Sequence, residues 1–166
     1  MIGSKEITTA KQLSDSMSSV VPSDASFEAS FSTARVSQNY LARYYLRSLE
    51  LQVKQESEPE LIPNEDQEQI NLEHVLPQSP DDGWGIEPEL AAAFCRRLGN
   101  LVLMKATNNS RIGNAPFEDK KKLFENSSFY LTQMVANDSQ WTIEEITKRQ
   151  KKLAEHAVKT WPASPK

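Results

Sequence analysis

Apolar and polar residues are arranged in two different patterns along the chain, and each pattern predicts a different element. From about residue 27 to residue 53, apolar residues recur three and four positions apart, which predicts helix with a wide apolar face. In residues 70–75, INLEHV, apolar and polar residues alternate, as is typical of a short, half-buried strand. The run NLVLM, residues 100–104, predicts a second short strand.

Three further stretches predict helices. EPELAAAFCRRL begins with acidic and ends with basic residues, as the helix dipole favours, and Gly99 is expected at its C-terminal cap. APFEDKKKLFENSSFYL predicts a helix with Pro116 in its first turn. The last helix is predicted from Thr142, where Thr142 and Glu145 would form a capping box, to about Val158. The order of elements predicts an α+β fold that is mostly α, with two short strands in the middle.

The chain is long enough for one domain with a real core, at 166 residues. Residues 1–26 are rich in Ser and Thr and are expected to be an N-terminal edge, either loosely ordered or added by cloning. The domain itself is predicted over residues 27–162, with residues 163–166 as a tail. Residues 54–69 carry two prolines among acidic residues and are expected to be an exposed connection.

Charge and cysteine content exclude several kinds of protein. The net charge of −4 argues against a protein held to nucleic acid by overall charge. Residues 95–122 nevertheless carry seven basic residues against two acidic ones, so this segment could face a polyanion or could be a solvated helical surface. The single cysteine, Cys95, excludes an internal disulfide and a zinc site built from several cysteines. There is neither a secretory signal nor a run of about 20 apolar residues, so a cytoplasmic, non-membrane protein is expected.

Three short motifs carry the candidate chemistry. Glu73 and His74 lie at the end of the first predicted strand, Asn100 begins the second, and Asn109 follows in a polar turn. Each motif alone has an ordinary structural explanation, since lone histidines are usually structural and Gly-Asn and Asn-Asn are common in caps and turns. Their order and spacing are informative only in combination.

The combination resembles the HNH (His-Me finger, ββα-metal) nuclease core, in which two antiparallel strands and a helix surround one divalent cation. EHVLPQ is similar to the first half of that motif and NLVLMKATNNSRIGN to the second. The flanking sequences resemble the C-terminal nuclease domain of GmrSD-type restriction enzymes, which attack modified foreign DNA, and of related phosphorothioate-sensing anti-phage systems. The resemblance covers roughly residues 27–162, with the core at about 70–126.

The resemblance implies a role for each residue of the motif. His74 is the expected general base, because neutral imidazole can take a proton from water. Glu73 and Asn109 are the expected ligands of Mg²⁺ or Mn²⁺, and Asn109 is also counted as catalytic. Asn100 would brace the loop that holds His74. Arg111 and Lys120 are candidates for phosphate contacts.

The resulting hypothesis is a metal-dependent DNA endonuclease or nickase domain of an anti-phage restriction system. Its expected partners are foreign or phage DNA, including modified DNA, and a covalently linked N-terminal, nucleotide-dependent sensor domain that this chain lacks. Two alternatives stay open: an inactive nucleic-acid-binding or interaction module that keeps the ββα frame, and an RNA-cleaving HNH nuclease. The acidic net charge, and Glu73 where Asp is commoner, favour the inactive module slightly.

Overall fold

A computed structural model describes residues 7–17, 20–55, 70–105 and 112–162. Within these ranges the chain forms seven α-helices and two β-strands, which confirms the α+β, mostly α fold. In chain order the elements are α1 (Ala10–Met17), α2 (Asp24–Phe31), α3 (Asn39–Lys54), β1 (Ile70–His74), α4 (Pro88–Phe94), β2 (Leu101–Lys105), α5 (Phe117–Glu125), α6 (Tyr130–Gln133) and α7 (Ile143–Thr160).

The two strands pair antiparallel, with Glu73 opposite Val102 and His74 opposite Leu101. Strand β1 ends at His74, and the next residue, Val75, donates its backbone N–H to the carbonyl of Asn100 over 2.9 Å. The histidine therefore marks the point where the chain leaves the sheet and turns toward Pro77.

Both faces of the sheet are covered by hydrophobic core. Leu101 and Leu103 of β2 belong to a first cluster, which includes residues of α2, α3 and α7. Val102 and Met104 belong to a second cluster, which includes residues of α5. Residues directly opposite in an antiparallel pair share a face. Glu73 therefore lies on the face of the second cluster, and His74 lies on the face of the first.

The C-terminal helix α7 organises the turn that leads into β2. The predicted capping box is confirmed: Glu144 donates its backbone N–H to the Thr142 side chain, and Thr142 donates its own to Glu145. One helical turn later, Arg149 is buried and donates to the carbonyls of Leu98, Gly99 and Leu101, at 2.8–3.2 Å. Burial lowers the pKa of Arg149 to about 10, against the opposing charges of Glu50 and Asp138. The guanidinium nevertheless stays charged at neutral pH and ties three carbonyls of residues 98–101 to α7.

Three expectations about local structure were wrong. The stretch at residues 115–131 is divided into α5 and α6, and Pro116 is the N-cap of α5 rather than part of its first turn. The helix predicted from residue 27 to residue 53 is divided into α2 and α3, with a break at residues 32–38. Gly99 does not cap α4, which ends at Phe94, and its backbone is not in the left-handed region. Gly99 instead lies in a short 3₁₀ turn, Leu98–Asn100, where an added Cβ would meet the backbone of Ile146 and the Cβ of Gln150. The glycine is required by close packing against α7.

None of the helices in the described parts of the chain is at once long enough and apolar enough to cross a lipid bilayer.

Candidate functional site

His74 lies at the exit of the two-stranded sheet and is half-buried. Its Nε2 is 3.4 Å from the side-chain nitrogen of Gln78. Burial, followed by the positive charges of Lys120 and Arg96, lowers the pKa of His74 to about 4. The imidazole is therefore neutral at pH 7, which is the form that can accept a proton.

Asn100 holds the segment that follows His74. Its side chain is fully buried. It donates to the carbonyl of Leu76 over 2.9 Å, and its Oδ1 accepts the backbone N–H of Leu76 over 2.8 Å. The indole N–H of Trp141 donates to the same oxygen at 3.0 Å. These bonds place Asn100 as a brace for the loop after His74, while its contribution to catalysis stays a prediction.

Glu73 is paired with Lys120 of α5. Nζ of Lys120 lies 2.6 Å from Oε1 of Glu73 and donates over 2.7 Å to the carbonyl of His74. Burial raises the pKa of Glu73 and lowers that of Lys120, and the attraction between the two charges opposes both shifts. The pair ties α5 to the end of β1 and so closes a strand–strand–helix unit.

The placement of Lys120 bears on its predicted contact with phosphate, which stays a prediction. The side chain has no exposed surface, whereas a side chain that contacts DNA phosphate must be accessible at the protein surface. Its neighbours Lys121 and Lys122 are not fully buried, and Lys122 pairs with Asp119 at 2.8 Å. Lys120 is therefore the interior residue of a run of three lysines, and the sequence alone does not distinguish it from the other two.

Arg96 is a residue of the site that the sequence did not single out. It is half-buried just beyond α4 and donates to the carbonyl of Ser37 over 2.7 Å. Its charge is close enough to His74 to lower the pKa of the imidazole. The only signal for it in the sequence is its membership of the basic segment at residues 95–122.

The predicted cation site lies only partly within the described residues. Among them, no three His, Cys, Asp or Glu side chains come together. Glu73 and His74 leave the strand from opposite faces, and Glu73 is paired with an ammonium group. The other predicted ligand, Asn109, and the predicted phosphate contact Arg111 lie outside the described residues. Binding of a cation by Glu73 stays a prediction, and the structure does not bring its carboxylate and His74 to one face.

The second histidine, His156, lies on α7, far along the chain from this site. It is half-buried, and its Nδ1 is 3.1 Å from Oε1 of Gln52 on α3. His156 is therefore a useful internal reference for experiments on His74.

The family model described as GmrSD restriction endonucleases, C-terminal domain, matches residues 21–156. No curated protein matches the chain.

Proposed function

The chain belongs to the family of C-terminal domains of GmrSD restriction endonucleases, and we propose that it cleaves DNA as an HNH-type nuclease with His74 as the general base. Membership of the family makes it a restriction endonuclease domain with DNA as the implied substrate. The identity of the base, the requirement for a cation and the number of strands cut are the parts that we propose.

The observation that carries the proposal is the position of His74. It is the last residue of β1. The loop that follows is held by Asn100, whose side chain bonds to both the N–H and the carbonyl of Leu76. The charge of Arg96 is nearby. Hydrolysis of a phosphodiester needs a group that takes a proton from water as the water oxygen attacks phosphorus and the ester bond breaks. A neutral imidazole held at the edge of a rigid sheet can supply that group, and a cation such as Arg96 can attract the phosphate.

We further propose that cleavage requires Mg²⁺ or Mn²⁺, as the family resemblance implies. The test is conversion of supercoiled plasmid to nicked or linear DNA. We expect conversion with either ion, complete loss of activity with excess EDTA, and recovery when the ion is added back. Undiminished cleavage in EDTA would exclude the cation requirement. Parallel reactions with RNA of the same sequence test the choice of substrate, and cleavage of RNA alone would overturn the proposed DNA activity.

Replacing Arg96 with alanine should weaken the productive binding of DNA. Loss of one hydrogen-bonded phosphate contact costs roughly 1–2 kcal/mol, so we expect KM for DNA to rise about tenfold. The dependence of log KM on log salt concentration should also become shallower by about one unit. Steady-state cleavage at several salt concentrations measures both effects.

The control for this change is Lys151→Ala, which removes an exposed positive charge from α7 and leaves the sheet exit untouched. We expect its KM to stay near the wild-type value. Equal effects of the two substitutions would mean that general charge attracts DNA, and Arg96 would then have no specific contact.

A further inference from the structure

We infer that Lys120 is a positioning residue for His74, and that Glu73 serves as the buried counterion of Lys120 rather than as a cation ligand. The inference deepens the proposed function, because it concerns the way in which the proposed base is held. It differs from the ligand role that the sequence predicted for Glu73 and from the phosphate contact predicted for Lys120.

The ammonium of Lys120 is directed away from solvent and toward the end of β1. The residue lies on α5 and has no exposed surface, and its ammonium donates both to Glu73 and to the carbonyl of His74. A bond to the backbone of the histidine restricts the strand end that carries the imidazole. A buried ammonium also needs a compensating charge, and Glu73 provides it at 2.6 Å.

The strand geometry separates Glu73 from the imidazole. Glu73 lies opposite Val102, on the face that packs against α5, and His74 lies opposite Leu101, on the other face. Adjacent side chains of a regular strand point in opposite directions. A cation bound to Glu73 Oε1 would lie beside the ammonium of Lys120. The two positive charges would repel each other, because they would share one carboxylate. The charges of Lys120 and Glu73 neutralise each other, which fits a structural role for the pair. Lys120 acts on His74 through its hydrogen bond to the His74 carbonyl.

Three variants test the inference: Lys120→Met, Glu73→Gln, and the double variant that carries both changes. Lys120→Met removes the bond to the His74 carbonyl but leaves a buried carboxylate unpaired. The double variant removes that bond and leaves no buried charge, so it can fold where Lys120→Met does not. Glu73→Gln keeps an oxygen that Lys120 can donate to but leaves the buried ammonium without a compensating charge, so the double variant, which also lacks the carboxylate, is measured beside it. Lys122→Met is the matched control, since Lys122 is 72% exposed and pairs with Asp119.

Kinetics give the first measurement. A residue that supports another usually contributes 10–100-fold, so we expect kcat of the double variant to fall by about that factor. KM for DNA should change less than about twofold, because Lys120 is not accessible to the substrate. Lys122→Met should keep the wild-type kcat. A rise in KM with an unchanged kcat in the double variant would overturn the inference in favour of a phosphate contact.

Nuclear magnetic resonance of protein labelled with ¹³C-histidine gives a measurement that does not depend on activity. The chain has two histidines, so His156 reports any general disturbance of the fold. We expect the ring resonances of His74 to shift in the double variant while those of His156 stay in place. Unmoved His74 resonances would show that Lys120 does not position the imidazole.

Addition of Mn²⁺ alone to the same samples tests the role of Glu73. A bound Mn²⁺ broadens the resonances of nearby nuclei. If Glu73 is a counterion, the Mn²⁺ concentration that half-broadens the His74 resonances should be the same, within about twofold, in Glu73→Gln and wild type. A rise of tenfold or more in Glu73→Gln would restore Glu73 as a ligand and overturn the inference.

Failure of the proposed function gives a different result. A wild-type protein that cleaves no DNA with any divalent ion would exclude the nuclease activity. The shift of the His74 resonances in the double variant would still decide whether Lys120 positions the ring. If Mn²⁺ did not broaden the His74 resonances of the wild-type protein, the cation requirement would be contradicted. There would then be no reason to treat Glu73 as a ligand.

Discussion

Replacing His74 with alanine is expected to lower kcat for DNA cleavage by about 10²–10⁴-fold, the usual contribution of a general base. The physical reason is that the amide nitrogens of Gln78 and Asn100, which also lie near the exit of β1, are not basic, Lys120 is paired with Glu73, and Arg96 is a cation. The measurement is the initial rate of plasmid cleavage at saturating DNA.

The fold should survive this substitution. His74 is half-buried, and the backbone around it is held by Lys120 and Asn100, whose bonds do not involve the imidazole. Circular dichroism and the thermal unfolding midpoint should therefore stay close to wild type. The matched control is His156→Ala, which removes the other histidine and should cleave DNA at the wild-type rate. Wild-type cleavage by His74→Ala would exclude His74 as the base.

Replacing Gly99 with alanine is expected to lower the free energy of unfolding by about 3 kcal/mol, at the upper end of the usual cost of overpacking. The new Cβ would overlap the backbone carbonyl of Ile146 and lie 3.0 Å from the Cβ of Gln150. Both obstacles belong to α7, a helix of 18 residues whose capping box and core residues hold it in place. The turn must move away from α7, which strains the bonds from Arg149 to Leu98, Gly99 and Leu101.

Equilibrium unfolding in urea measures this loss. The control is Gly85→Ala, where the φ of +60° is unfavourable for alanine but the added Cβ has no neighbour within 4 Å. We expect Gly85→Ala to cost about 1 kcal/mol, from backbone strain alone. The clash with α7 would be refuted if Gly99→Ala were no more destabilising than Gly85→Ala. Because Asn100 follows Gly99 and holds the loop after His74, Gly99→Ala should also lower the cleavage rate.

Features that depend on neighbouring residues could be predicted from the sequence. The alternation in INLEHV and the apolar run NLVLM correctly located both strands to within one residue, and Thr142 with Glu145 correctly located the start of α7. These signals are local, because a strand or a cap is decided by side chains within a few positions of one another. The sequences that flank Glu73-His74, Asn100 and Asn109 were likewise enough to indicate the GmrSD family that the later comparison identified.

The environment of each charged residue was decided by the tertiary structure. In the sequence, Lys120 cannot be told from the less buried Lys121 and Lys122 beside it, and Glu73 has the pattern of a polar residue on the solvent side of a half-buried strand. They are 47 positions apart, and only the packing of α5 on the second face of the sheet brings them together and buries both. The same holds for Gly99, whose sequence context suggests a helix cap and whose real constraint is the surface of α7.

The sequence by itself therefore determined the elements of this protein, their order, the family and the histidine on which the proposed chemistry depends. Tertiary structure alone decided which charges are buried, which face each side chain takes, and what holds His74 in place. The physical reason is range: periodicity and capping act over a few residues, whereas desolvation and ion pairing depend on every element packed around a side chain.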